Sequence, residues 1–116
     1  MKLALVVAGV AAAIVAFAAC NNPTGGNTCA STGAIAVDAR NTLQFVPDTF
    51  QITPTQDVCW QNIGSVTHTV TAIFGTDTVD VTLPPNFTYT RGIGPIGDYP
   101  FHCRFHPGME GLIRVR

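Results

Sequence analysis

From residue 34 onward the chain is cut into short apolar and β-branched runs by a steady supply of Pro, Gly, Asn and Asp, with no internal repeat and no long helical period. Strands are expected near Ala34 to Ala39, Thr49 to Thr53, Asp57 to Asn62, Thr67 to Ile73, Thr78 to Leu83, Asn86 to Arg91, Asp98 to Cys103 and Leu112 to Arg116. About eight short strands separated by turn residues imply an all-β sandwich. Because strand side chains alternate between faces, Tyr99, Phe101 and Cys103 fall on one face, Val58 and Trp60 on one face, and Ile113 and Val115 on one face. Their expected role is core packing.

Ahead of that region the 116-residue chain carries a different signal. Lys2 is followed by an apolar run from Leu3 to Ala19 and then Cys20, the pattern of a secretory leader. A membrane span is the competing reading, but the run sits at the lower length limit for one. Phe17-Ala-Ala-Cys20 resembles a bacterial lipobox, with Phe17 where an aliphatic residue is usual. Cys20 is thus the expected lipidation site, and simple cleavage of the leader the alternative. The stretch from Asn21 to Thr28 holds only turn-forming and small polar residues, as a flexible tether would. The expected organisation is a signal peptide over 1–19, a lipidated cysteine and tether over 20–33, and one small domain over 34–116. The protein would be exported and anchored by lipid to a membrane of the bacterial cell envelope, on the periplasmic or extracellular side.

Charge excludes one large class of partner. Lys2 is the only lysine, so loss of the leader leaves five arginines against six aspartates and Glu110, a net charge near −2. No basic patch or like-charge run is present to hold nucleic acid. A tethered monomer is the default expectation.

The chemistry is concentrated near the chain's end. Tyr99-Pro-Phe-His-Cys-Arg-Phe-His-Pro-Gly-Met-Glu-Gly111 puts a thiolate, an imidazole and a thioether in one loop, as Cys103, His106 and Met109. Soft sulfur with imidazole nitrogen and a weak thioether is the ligand set of a mononuclear copper ion that cycles between Cu(II) and Cu(I). The remaining ligand must be an upstream histidine, and the chain has three in all. His102 precedes Cys103 in an alternating strand and should point the opposite way, which leaves His68 in Ser65-Val-Thr-His-Thr-Val70. Three histidines are too few for the additional copper ions of a multicopper oxidase or nitrite reductase, so no enzyme is expected. A binuclear copper site would need a second cysteine after Cys103, and there is none. Zinc seldom recruits methionine in structural sites.

With Cys20 assigned to lipid and Cys103 to metal, Cys29 and Cys59 remain. In an oxidising compartment a disulfide is their expected fate, two free thiols being the alternative. A bridge would close a loop of about 30 residues and contribute ~3 kcal/mol on the chain-entropy estimate.

Taken together, Phe45-Val-Pro47, Cys59-Trp-Gln-Asn62, the His68 segment, Gly97-Asp-Tyr-Pro-Phe-His-Cys103 and Gly111-Leu-Ile-Arg-Val115 resemble a cupredoxin, a small blue copper protein of the plastocyanin, amicyanin and pseudoazurin kind. The resemblance covers approximately Ala34 to Arg116. Two residues separate Cys103 from His106 and two separate His106 from Met109, a short ligand loop like that of amicyanin. The resemblance implies a Greek-key β-sandwich and one copper ion bound near-trigonally by Cys103, His68 and His106, with Met109 as the weak axial ligand. It also implies electron transfer with transient redox protein partners, through a patch of Phe105, His106, Pro107 and Gly108 at the surface. Copper storage, delivery or sensing is the alternative function for the same ligands. Protonation of His106 in the reduced state would make it a pH switch. Relatives often carry Asn after the first histidine and Ser or Thr after the cysteine, residues that tie the two ligand segments together. Here those positions hold Thr69 and Arg104, and Phe105 stands where many relatives have proline. Outer-shell groups of this kind orient ligands and tune the metal.

Overall fold

The structure, a computed structural model, describes Cys29 and residues 33–116. The expected leader, the lipid-bearing Cys20 and most of the tether lie outside the described residues. Nine strands are found among the described residues: β1 (Ile35–Ala39), β2 (Phe45–Val46), β3 (Thr49–Ile52), β4 (Asp57–Asn62), β5 (His68–Phe74), β6 (Asp77–Leu83), β7 (Thr88–Gly92), β8 (Gly97–His102) and β9 (Glu110–Val115). They form a four-stranded sheet in the order β2-β1-β4-β7 and a five-stranded sheet in the order β3-β9-β8-β5-β6. Every expected strand is present with ends within two residues of those read from the sequence. The addition is β2, which pairs antiparallel with the end of β1 through Asp38↔Val46 and Ala39↔Phe45. Two residues ending at a proline are too few to show an alternation, so this strand has no sequence signature.

The core lies between the sheets, around Trp60. Its ring is fully buried, stacks on Phe74 and Tyr89 with centroids 5.9 and 5.8 Å away, and meets the edge of Phe101 at 5.6 Å. Phe101 in turn makes an edge contact with Phe45 at 4.9 Å. Burying one such ring removes roughly 150–250 Å² from water, about 4–6 kcal/mol before entropy is counted. Trp60 Nε1 is buried without a hydrogen bond, so the ring acts by packing alone. Val58, Trp60, Phe101, Ile113 and Val115 are all buried, as alternation requires, while Tyr99 is half-buried and donates its hydroxyl to the Pro95 carbonyl at 2.7 Å.

Cys59 breaks the alternation of β4, being buried between two buried neighbours. The reason is covalent: Cys29 covers the outer face of the strand through a disulfide to Cys59, and its amide donates to Gln61 Oε1 at 2.7 Å.

The arrangement of β5 and β8 decides where chemistry can occur. They are antiparallel neighbours in the register Thr71↔His102 and Ala72↔Phe101. The start of β5, His68, and the residue just after β8, Cys103, therefore arrive at the same end of the sandwich.

Candidate metal centre

At that end the β5–β8 ladder stops two pairs short of Thr69 and Arg104. Continued register would place Thr69 opposite Arg104, but pairing ends at Thr71↔His102 and the chains separate. The gap is bridged by side chains. Arg104 N donates to Thr69 Oγ1 at 2.7 Å, and Thr69 N donates to Cys103 Sγ at 3.4 Å. Thr69 and Arg104, both departures from the usual pattern, thus still tie the two segments together: a hydroxyl takes over the role of an amide side chain, and the partner is a backbone group.

Beyond Cys103 the chain turns twice. His106 N donates to Cys103 O at 3.4 Å, Met109 N to His106 O at 3.0 Å, and Cys103 N to Met109 O at 2.9 Å. The last of these closes the loop where β9 begins. Gly108 sits at φ 90°, a left-handed backbone that a residue with a Cβ adopts only under strain, and this allows the second turn.

The result is a compact donor cluster. Cys103 Sγ lies 3.3 Å from His106 Nδ1 and 3.8 Å from His68 Nδ1, and the two Nδ1 atoms are 3.3 Å apart. A point equidistant from three atoms at these separations is about 2.0 Å from each, close to ordinary metal–nitrogen and metal–sulfur bond lengths. His68, Cys103 and His106 would therefore fit one metal ion between them. Met109, the fourth expected ligand, is buried and held to Cys103 and His106 through its backbone. His102 is exposed and takes no part in the cluster.

Burial and charge prepare the site for a cation. His68 is wholly buried. Desolvation, and next the neighbouring His106, push its pKa below the ordinary 6.5, while the Arg40 backbone carbonyl acts the other way. Its Nε2 is buried without a well-formed hydrogen bond. A neutral ring whose proton is on Nε2 presents the Nδ1 lone pair to the thiol and to His106. His106, by contrast, is half-buried, and Phe105, Pro107 and Gly108 around it are exposed. The Arg104 guanidinium lies 5.0 Å above the Phe105 ring.

The His68 segment is held by two asparagines. The buried side chain of Asn62 donates from Nδ2 to the Val66 carbonyl at 2.7 Å and the Leu83 carbonyl at 2.9 Å, and its Oδ1 accepts from Gly64 N at 2.9 Å. Leu83 is the register partner of His68, so Asn62, at the end of β4, grips the strand pair that presents the imidazole from the opposite sheet. Asn41 Oδ1 accepts from Ser65 N at 2.8 Å and Val66 N at 3.2 Å, and a Cβ on Gly64 would collide with that same side chain. These supporting roles are not visible in the sequence. Alternation, which puts polar Asn62 on the same face of β4 as Val58 and Trp60, is the one signal, and it marks Asn62 alone.

No protein-family model matches the chain, and no curated protein matches it significantly. Solved structures do. A reduced amicyanin variant is 23% identical, with a TM-score of 0.67, over 78% of this chain and 90% of that one. The Cu(I) form of a second amicyanin variant is 22% identical at a TM-score of 0.69 with the same coverage, and an oxidised third is 21% identical at 0.69. The fold of this chain is accordingly that of amicyanin, a cupredoxin β-sandwich.

Proposed function

We infer that this chain, built on the cupredoxin fold, is an electron-transfer protein whose one mononuclear type 1 copper ion would be held by His68, Cys103, His106 and Met109. The observation that carries the reading is the triangle of one sulfur and two imidazole nitrogens, of a size that fits one ion. Copper supplies a one-electron couple between Cu(II) and Cu(I). The residues do the rest. Thr69 N–H faces the sulfur and spreads its negative charge. The two turns of the ligand loop and the grip of Asn62 hold the donors in one arrangement, so that little needs to move when charge changes. The half-exposed His106 is the route for the electron, and exposed Phe105, Pro107 and Gly108 form the small contact surface that transient redox encounters use.

The leader and lipobox support a setting for this activity. The domain would be held by lipid on Cys20 at a membrane surface of the bacterial envelope, with Asn21 to Thr28 as its tether, working as a monomer with redox proteins nearby.

The test is the visible absorption and electron paramagnetic resonance spectra of the Cu(II)-loaded protein beside Cys103→Ser. An intense thiolate-to-copper band that disappears in the variant is the expected result. A colourless protein, or a copper signal that survives the substitution, would overturn the reading in favour of copper carriage or another metal.

A further inference from the structure

A hydrogen-bond chain runs from the peptide after Cys103 to a carboxylate on β6, and no ligand residue is part of it. Arg104 N donates to Thr69 Oγ1 at 2.7 Å, Thr69 Oγ1 is 2.9 Å from Thr71 Oγ1, and Thr71 Oγ1 donates to Asp80 Oδ1 at 2.9 Å. Thr71 and Asp80 are register partners on β5 and β6. The Arg104 side chain returns to the same carboxylate, with Nε 3.2 Å from Oδ1 and the terminal nitrogen 3.2 Å from Oδ2. The circuit therefore begins and ends on the residue next to the sulfur ligand.

Its direction follows from chemistry. Arg104, and after it Thr71, hold the Asp80 carboxyl below its ordinary range, so at neutral pH it is ionised and accepts only. Thr71 must then give its single hydroxyl proton to Asp80. The bond between the two hydroxyls can only be donated by Thr69, and the Thr69 oxygen is left to accept the Arg104 N–H. Each donation polarises the next oxygen, which strengthens the last acceptor in the row. The Arg104–Asp80 ion pair is half-exposed, and pairs of that kind contribute little to stability. What Asp80 contributes is orientation.

We propose that Asp80 is a positioning residue for the sulfur donor of the metal centre, orienting the Thr71 and Thr69 hydroxyls so that they clamp the Cys103–Arg104 peptide from a strand that carries no ligand. This rests on the copper reading above for its consequence, though not for its geometry. Thr69 is the point of transmission, since its amide meets the sulfur while its hydroxyl meets the following peptide. The arginine that stands in place of a small hydroxyl residue closes the circuit.

The experiment compares the full chain in detergent with Asp80→Asn, Thr71→Val and Thr71→Ser. In the metal-free protein, hydrogen exchange at the Arg104 amide should quicken roughly two- to fivefold in Asp80→Asn and Thr71→Val. Thr71→Ser, which keeps the hydroxyl, should exchange like the parent. After loading with Cu(II), the first two variants should share a displaced thiolate-to-copper band and altered copper hyperfine splitting, and Thr71→Ser should not. Parental exchange and spectra in both Thr71→Val and Asp80→Asn would overturn the proposal. So would changes confined to Asp80→Asn, which would reduce its effect to charge alone. A parent lacking the copper band would count against the copper reading, and the exchange data would still decide the hydrogen-bond chain. Should Thr71→Val fail to fold, Thr71→Ala, which also removes the hydroxyl, takes its place in the comparison.

Discussion

Asn62→Ala should be among the most damaging single changes that touch no metal ligand. The side chain makes three hydrogen bonds and is wholly buried. Truncation leaves the Leu83 carbonyl without that donor inside the protein, a cost of ~1–3 kcal/mol, while Gly64 N and Val66 O, nearer the surface, lose about 1 kcal/mol each as water replaces the amide. The sum is about 3–5 kcal/mol, a large part of the ~5–15 kcal/mol by which domains of this kind are stable. In thermal unfolding of the metal-free protein followed by circular dichroism, 3 kcal/mol corresponds to a fall of roughly 12–24 °C for a domain of this size. Asn62→Asp separates hydrogen bonding from volume. Its shape is nearly that of asparagine, but at neutral pH a carboxylate would face two carbonyl oxygens. That environment raises the folded pKa of the new group above its unfolded value. Its stabilising form is then the protonated one, present below the unfolded pKa and lost as pH rises through the folded pKa. Asn62→Asp should therefore be nearer to parental stability at about pH 4 than at pH 7. A loss under ~1 kcal/mol for Asn62→Ala, or an Asn62→Asp penalty that does not change with pH, would refute the view that this amide holds the His68 strand pair by hydrogen bonds.

Three further outcomes are expected. Replacing Cys29 and Cys59 together by serine should lower stability by about 3–4 kcal/mol, from a loop of sequence separation 30, as read by urea unfolding; an unchanged midpoint would mean that the bridge does not constrain the unfolded chain. Gly111→Ala pushes a methyl group into the Phe101 ring and to 2.7 Å from the Asp48 carbonyl, and should cost ~1–3 kcal/mol in the same assay, with parental stability counting against the close β3–β9 approach. Asp80 has a folded pKa below its ordinary 3.8, so its stabilisation is present above that value and is lost as pH falls through the lower folded one. The stability difference between the parent and Asp80→Asn should be small, hold steady from pH 7 to about 5 and shrink toward pH 3, and a large difference independent of pH would refute the assignment.

What the sequence disclosed and what it concealed divide along contact distance. Cys103, His106 and Met109 lie within seven residues of chain, so their spacing alone describes a loop. His68 is 35 residues from Cys103, yet it was reachable because histidines are scarce and alternation turns His102 outward. Strands long enough to alternate were legible, and β2 was not. The Asn62 grip and the Thr69–Thr71–Asp80 chain stayed hidden, because they depend on which residues face each other across β5, β6 and β8, and register is a property of the folded sheet. Thr69 and Arg104 show the limit most clearly. Residue by residue they look like losses of the usual tie between ligand segments, but in the folded protein the tie persists through a hydroxyl and a backbone amide.

The same geometry bears on the choice between electron transfer and copper delivery. A protein that hands its metal to another must let donors separate at low cost. Here His68 is buried at the start of a strand paired on β6, and the Leu83 position of that pair is gripped from the opposite sheet. Cys103 is buried and bonded through its amide to Met109 and through its sulfur to Thr69. Releasing either donor means breaking several hydrogen bonds at once, each with a free-energy cost of ~1 kcal/mol or more when a buried group is left unpaired. Only His106 stands near solvent, on a loop with exposed neighbours on both sides. One accessible imidazole on an otherwise locked cluster is a poor exit for an ion, since the remaining donors still hold it. It is a good exit for an electron, which needs a short path to the surface and donors that stay in place.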